Sequence, residues 1–175
     1  MDLMKVLLEN SGGANVAQLA RQFGLDAETT QKIAAQVVPA LGRGLQKNAA
    51  APGGLDSLLQ GLQQGNHKRY LDDPAALQDP AALTDGKAIL GHILGSKDVS
   101  RNVAAHAAAQ TGVDANMIKQ MLPMLAALAM GALSKQTNGG KQLRGGGSDL
   151  LGSLLDSNHD GQVMDDVLNI ARKFF

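Results

Sequence analysis

Asp156, Asn158 and Asp160 present three oxygen-bearing side chains at alternate positions of "LLDSNHDGQVMDDVL" (154–168), ahead of Gly161 and the paired acids Asp165 and Asp166. Alternating oxygens followed by a glycine suit calcium, a hard cation that gathers about six to eight oxygen ligands around a sharply turned loop. Numbered as an EF-hand loop, Asp156, Asn158 and Asp160 take positions 1, 3 and 5, and Gly161 takes position 6. Gln162 then offers its carbonyl at position 7, and Val163 is the aliphatic residue at position 8. The far end departs from this pattern. Met164 stands at position 9, and Val167 stands at position 12, where a bidentate Glu should close the ring. Closure therefore requires a tighter loop in which Asp165 or Asp166 swings back, and fewer good ligands mean a weaker site. A polar turn is the competing reading, with Asp165 and Asp166 complementing the positive end of the last helix. That reading does not demand Gly161 or Val163. The expected metal ligands are thus Asp156, Asn158, Asp160, Gln162, Asp165 and Asp166, with Ca2+ as the cofactor in a structural role, since no second EF-hand is present to pair with this one.

A loop of this kind needs a helix on each side. Ser148 can cap a helix with Leu150, Leu151, Leu154 and Leu155 on one face, and a closing helix from about Met164 carries "DDVLNIARKFF". "NGGKQLRGGG" (138–147) has five glycines in ten residues and sets this terminal module apart. Composition points the same way for the rest of the chain. Hydrophobic residues make up 44% of the 175 and aromatic residues only 2%, so the core must be built from Leu, Ala, Met, Val and Ile, which favours helix packed on helix.

The chain also repeats itself. "GLDAETTQKIAAQVVPALGRGLQK" from Gly24 aligns without gaps with "GVDANMIKQMLPMLAALAMGALSK" from Gly112, pairing Asp26 with Asp114, Leu45 with Leu133 and Lys47 with Lys135. Upstream "NVAQLARQF" resembles "NVAAHAAAQT", and downstream "GGLDSLLQGL" recurs as "GGSDLLGSLL". Each copy reads as a short helix, a second helix stopped by Gly24 or Gly112, a long apolar helix capped by Asp26 or Asp114, and a short Leu-rich helix. Val16, Leu19, Ala20 and Phe23 form one face of the second helix. Pro39 and Pro123 fall inside the long helices, where a proline removes one backbone bond. "DPAAL" at Asp73 and again at Asp79 suggests two single helical turns in the connector. The fold expected is all-α, a tandem pseudo-repeat helical bundle with a C-terminal EF-hand-like helix-loop-helix. Its parts are a first repeat (1–64), a connector (65–85), a second repeat (86–137), a Gly-rich linker (138–147) and a terminal module (148–175) that also completes the second repeat.

Other chemistries find less support. The 16 basic and 16 acidic residues cancel, which argues against nucleic acid as a partner. A helix-turn-helix spacing is present in Ala20, Gly24, Leu25 and Ile33, and again in Ala108, Gly112, Val113 and Met121. Its would-be readers, Glu28, Thr29, Gln31, Lys32 and then Asn116, Lys119 and Gln120, include no arginine, so a DNA-binding regulator is the alternative function rather than the leading one. "HKRY" (67–70) reads as a solvated basic loop, His92 and His106 as interior residues of apolar helices, and Met117, Met121 and Met124 as core filler. There is no cysteine, no GxSxG, no phosphate loop and no HExxH, so the protein is expected not to be an enzyme. "MDLMKVLLENSGG" lacks a signal peptide's apolar region, and the longest run without charged or polar side chains, Met121 to Leu133, falls short of the about 20 residues a membrane span needs. A cytoplasmic protein without membrane contact is expected, one that meets a protein partner or a second copy of itself.

"ILGHILG" (Ile89 to Gly95), "LPMLAALAMGAL" (Leu122 to Leu133) and "LDSNHDGQVMDD" (Leu155 to Asp166) carry a resemblance. In these stretches the chain resembles the bacterial domain-of-unknown-function family nine-three-seven, relatives of the YidB-like proteins. The likeness is strongest from Gly86 onward. It implies an all-α, non-enzymatic bacterial protein, with a homeodomain-like arrangement for the YidB-like relatives, and it implies no particular activity.

Overall fold

Capping residues divide the chain into helices much as its sequence punctuation predicts. The computed structural model describes residues 3–9 and 13–145, with side chains to Leu143. The linker beyond 145 and the whole terminal module, with Asp156, Asn158, Asp160, Gln162, Asp165 and Asp166, lie outside the described residues. Every regular element among the described residues is helical. In order they are α1 (Leu3–Glu9), α2 (Ala14–Phe23), α3 (Ala27–Ala50), α4 (Gly54–Gln64), α5 (Lys68–Asp72), α6 (Pro80–Leu94), α7 (Lys97–Thr111) and α8 (Ala115–Gln136), with 3-10 turns at Pro74–Gln78 and Lys141–Gly145.

A glycine and an aspartate stop and restart the chain at the α2–α3 turn and again at the α7–α8 turn. Gly24 ends α2 at φ 67° and Gly112 ends α7 at φ 74°, a left-handed conformation that costs a residue without Cβ nothing. Asp26 then caps α3 by accepting from the Thr29 N–H at 2.7 Å, and Asp114 caps α8 by accepting from the Asn116 and Met117 N–H groups. The Thr29 hydroxyl also donates to Asp26, and these bonds hold that carboxyl below its usual range.

α8 is the central element. Every residue from Met121 to Ser134 is buried, and α8 packs against α1, α3, α5, α6 and α7. By length and composition it could cross a membrane, but its most apolar window is 83% buried inside this bundle. Met121 and Met124 are core residues, as expected. Glycines set how closely neighbouring helices approach. A Cβ at Gly86 of α6 would overlap the Pro123 carbonyl of α8, and a Cβ at Gly44 of α3 would stand 2.6 Å from the Ile93 carbonyl of α6. At this second crossing, the Asn48 amide nitrogen of α3 donates to the His92 and Ile93 carbonyls at the C-terminus of α6. Such end carbonyls have no partner within their own helix, so Asn48 both caps α6 and ties it to α3.

The "DPAAL" pair behaves unequally. Asp73 and Asp79 both cap, accepting from Ala75 and Ala81, but only the first copy stops after a turn. The second opens the fifteen-residue α6, because nothing in the following "PAALTDGKAIL" breaks a helix and Gly86 meets α8 instead of solvent.

Candidate functional site

Between the C-terminal half of α3, α4 and α6 lies a cavity of about 480 Å³. Leu45, Leu58, Ile89, Ile93 and Met130 give it apolar walls, and Ala51, Pro52 and Gly53 form the turn at one margin. Its polar lining groups are Asn48, Ser57, His67, Asp85 and His92. A largely apolar pocket of a few hundred cubic ångströms with a small number of placed polar groups is the usual form of a small-molecule site.

His67 reaches this wall because glycines make room for it. Its backbone carbonyl rests over Gly131 of α8, where a Cβ would stand 2.7 Å away, and its ring lies against Gly65, where a Cβ would collide with the imidazole. The residue is only 9% exposed. A ring N–H donates to the Gly61 carbonyl, and Nδ1 has no hydrogen-bond partner. Burial pushes the His67 pKa down, outweighing the nearby Asp85 carboxylate that raises it. The ring is therefore neutral near pH 7, and with its single proton on the bonded nitrogen, Nδ1 is a bare acceptor.

Tyr70, one helical turn on from His67, is completely buried. Its hydroxyl donates to Asp85 of α6 and accepts from Arg69 at 2.6 Å, while the Arg69 guanidinium lies 4.7 Å from the Tyr70 ring centre and 3.6 Å from the Asp85 carboxylate. Burial first, and then the bond to Asp85, raise the Tyr70 pKa, so the phenol keeps its proton. The cluster thus fixes Asp85 at the cavity's edge, accepting from Tyr70 and beside Arg69.

This arrangement corrects the sequence-based expectation for "HKRY". Two of its four side chains, His67 and Tyr70, are buried, and with Leu71 they occupy i, i+3 and i+4, one face of a short helix. That spacing was the available signal; the tight approach to Gly65 and Gly131 that makes room for it is a tertiary fact. Asp85 was missed because nothing local distinguishes it from any other surface acid. His92 is exposed and His106 half-buried, so neither is the interior residue expected. The two helix-turn-helix spacings do form helix, turn and helix, but Lys32 pairs with Glu28 at 2.8 Å and both long helices turn their following residues into the core. Among the described residues no group of three or more His, Asp or Glu side chains is placed to hold a metal ion.

The described residues thus form an all-helical bundle with this cavity in it. It belongs to the family described as bacterial protein of unknown function (DUF937), whose family model matches residues 5–136. This agrees with the resemblance carried by Ile89 to Gly95 and Leu122 to Leu133, and the match ends with α8, ahead of the acidic loop. Searches of the curated proteins and of the solved structures return no match.

Proposed function

We propose that this protein is a non-enzymatic binding protein that holds a small, largely apolar ligand in the cavity between α3, α4 and α6. The observation that carries the reading is the cavity itself, about 480 Å³ with Leu45, Leu58, Ile89, Ile93 and Met130 around it and a buried imidazole in its wall. A site built for turnover would place a reactive group against an acid or base; here Tyr70 and Asp85 are tied to each other and His67 to a backbone carbonyl. The expected test uses Nile red, an uncharged apolar dye. Saturable fluorescence with the full chain, abolished by Ala88→Trp, which fills the cavity from α6, supports the reading. Dye binding unchanged by Ala88→Trp, in a variant of unchanged helicity, would overturn it.

Two further features belong to the same proposal. The chain is a pseudo-repeat, supported by the matching Gly24 and Gly112 stops and the matching Asp26 and Asp114 caps. The terminal loop binds calcium through Asp156, Asn158, Asp160 and the Gln162 carbonyl, with Asp165 or Asp166 closing it, a reading supported by the order of residue types alone.

A further inference from the structure

We infer that the α4–α5 turn is a proton-operated latch on the cavity: when the His67 ring takes up a proton it leaves its seat, and the wall it forms opens to water. The inference rests on the binding reading above and adds a regulation to it. Its basis is how the ring is held. One ring nitrogen donates to the Gly61 carbonyl of α4, and the other, Nδ1, has no partner and less than 1 Å² of accessible surface. A second proton on the seated ring would make a charged N–H that meets neither an acceptor nor water, which is costly in a buried place. Turned out to water, the same imidazole protonates at its ordinary value of about 6.5. Seat and proton therefore exclude each other.

The seat is made by backbone that carries no side chain. The ring lies where a Cβ of Gly65 would stand, and the His67 carbonyl rests over Gly131 of α8. Only Gly65 and Asn66 join the end of α4 to His67, so this short segment can carry the ring away while Tyr70 stays bonded to Asp85. Few charges act on the ring. Asp85 of α6 favours the proton and Arg69 of α5 opposes it, and burial outweighs the Asp85 attraction. Around the seat α8 brings no charge between Met121 and Ser134, α4 has its acid, Asp56, in its first turn at the far end from His67, and α3 lines the cavity with the uncharged Leu45 and Asn48.

The test follows the full chain between about pH 8 and 5, by Nile red binding and by NMR of the histidine ring protons. Nile red affinity is expected to stay level above the measured His67 midpoint and to fall about tenfold per pH unit below it, because the dye binds the seated form. His67→Gln, which cannot titrate, should bind the dye equally across this range. His92→Gln, which changes the other histidine of the wall, should keep the wild-type slope. Gly65→Ala gives the reverse case: its backbone, φ −83° and ψ 133°, suits alanine, so the new methyl group acts by expelling the ring. In that variant His67 should titrate at about 6.5, and the dye should bind weakly at every pH. Wild-type affinity that stays level through the His67 midpoint, or a slope that follows His92, overturns the latch while leaving the cavity a binding site. Loss of helicity before His67 titrates does the same, since the transition is then global. Failure of the dye to bind even at the alkaline end removes the binding reading itself, and this inference with it.

Discussion

Tyr70 of α5 gives its phenolic hydrogen to the Asp85 carboxylate of α6, fifteen residues further along the chain, and this bond fixes Asp85 at the wall of the cavity that His67 also lines. Removing only the hydroxyl should therefore loosen that wall without emptying the core. Tyr70→Phe is expected to lower stability by about 1 kcal/mol in urea unfolding, since it deletes a hydrogen bond to a charged group and leaves the ring in place. A loss near zero would mean that Asp85 and Arg69 satisfy each other without the phenol.

Two glycines of α6 should respond in opposite directions to the same change. Gly86→Ala forces a methyl group into the Pro123 carbonyl of α8 and is expected to cost about 2 kcal/mol or more. Gly91→Ala meets nothing within 4 Å and should gain about 0.5–1 kcal/mol from helix propensity alone. Equal effects in chemical denaturation would show that α6 does not press on α8 at Gly86.

Asn48→Ala removes the side chain that caps α6 from α3. A loss of about 1 kcal/mol is expected, with faster amide exchange at the C-terminal turn of α6 than elsewhere in that helix. Uniform exchange along α6 would contradict the capping role.

His67 makes stability fall on mild acidification. Its folded-state pKa lies below the ordinary value of 6.5, so the unfolded chain takes up the proton first. Its contribution is complete above about pH 7 and is lost as the pH falls through 6.5 toward the folded value. The Tm of the wild-type chain should therefore drop more steeply between about pH 7 and 5.5 than that of His67→Gln, whatever the offset between them at pH 8. Parallel curves would place the titration elsewhere.

Calcium should act on the terminal module through Asp160. Millimolar calcium is expected to raise the melting point of the full chain, and Asp160→Ala should abolish that shift. No shift at millimolar calcium, the weakest range for such loops, would remove the ion from the account.

The helices were readable because local chemistry marks them. Gly24 and Gly112 need a left-handed backbone, and Asp26 and Asp114 each satisfy an N–H that a new helix leaves free, so these boundaries follow from a few neighbouring residues. Asp79 shows the limit of the same rule. It caps as Asp73 does, yet the length of the helix behind it depends on α8 lying against Gly86. The cavity was not legible at all. His67 and Asp85 are eighteen positions apart and belong to different elements, and their approach is set by Tyr70 and by the bare backbone at Gly65 and Gly131. The acidic loop is the reverse case, a clear pattern of residue types whose geometry lies outside the described residues.

The binding claim is tested most directly by a methyl-detected NMR titration of the full chain with 1-octanol. Saturable shifts confined to the methyl groups of Leu45, Leu58, Ile89, Ile93 and Met130, absent in Ala88→Trp, are the expected result. Shifts that grow linearly with octanol, or that spread equally over core residues remote from the cavity such as Leu19 and Ile118, would contradict it.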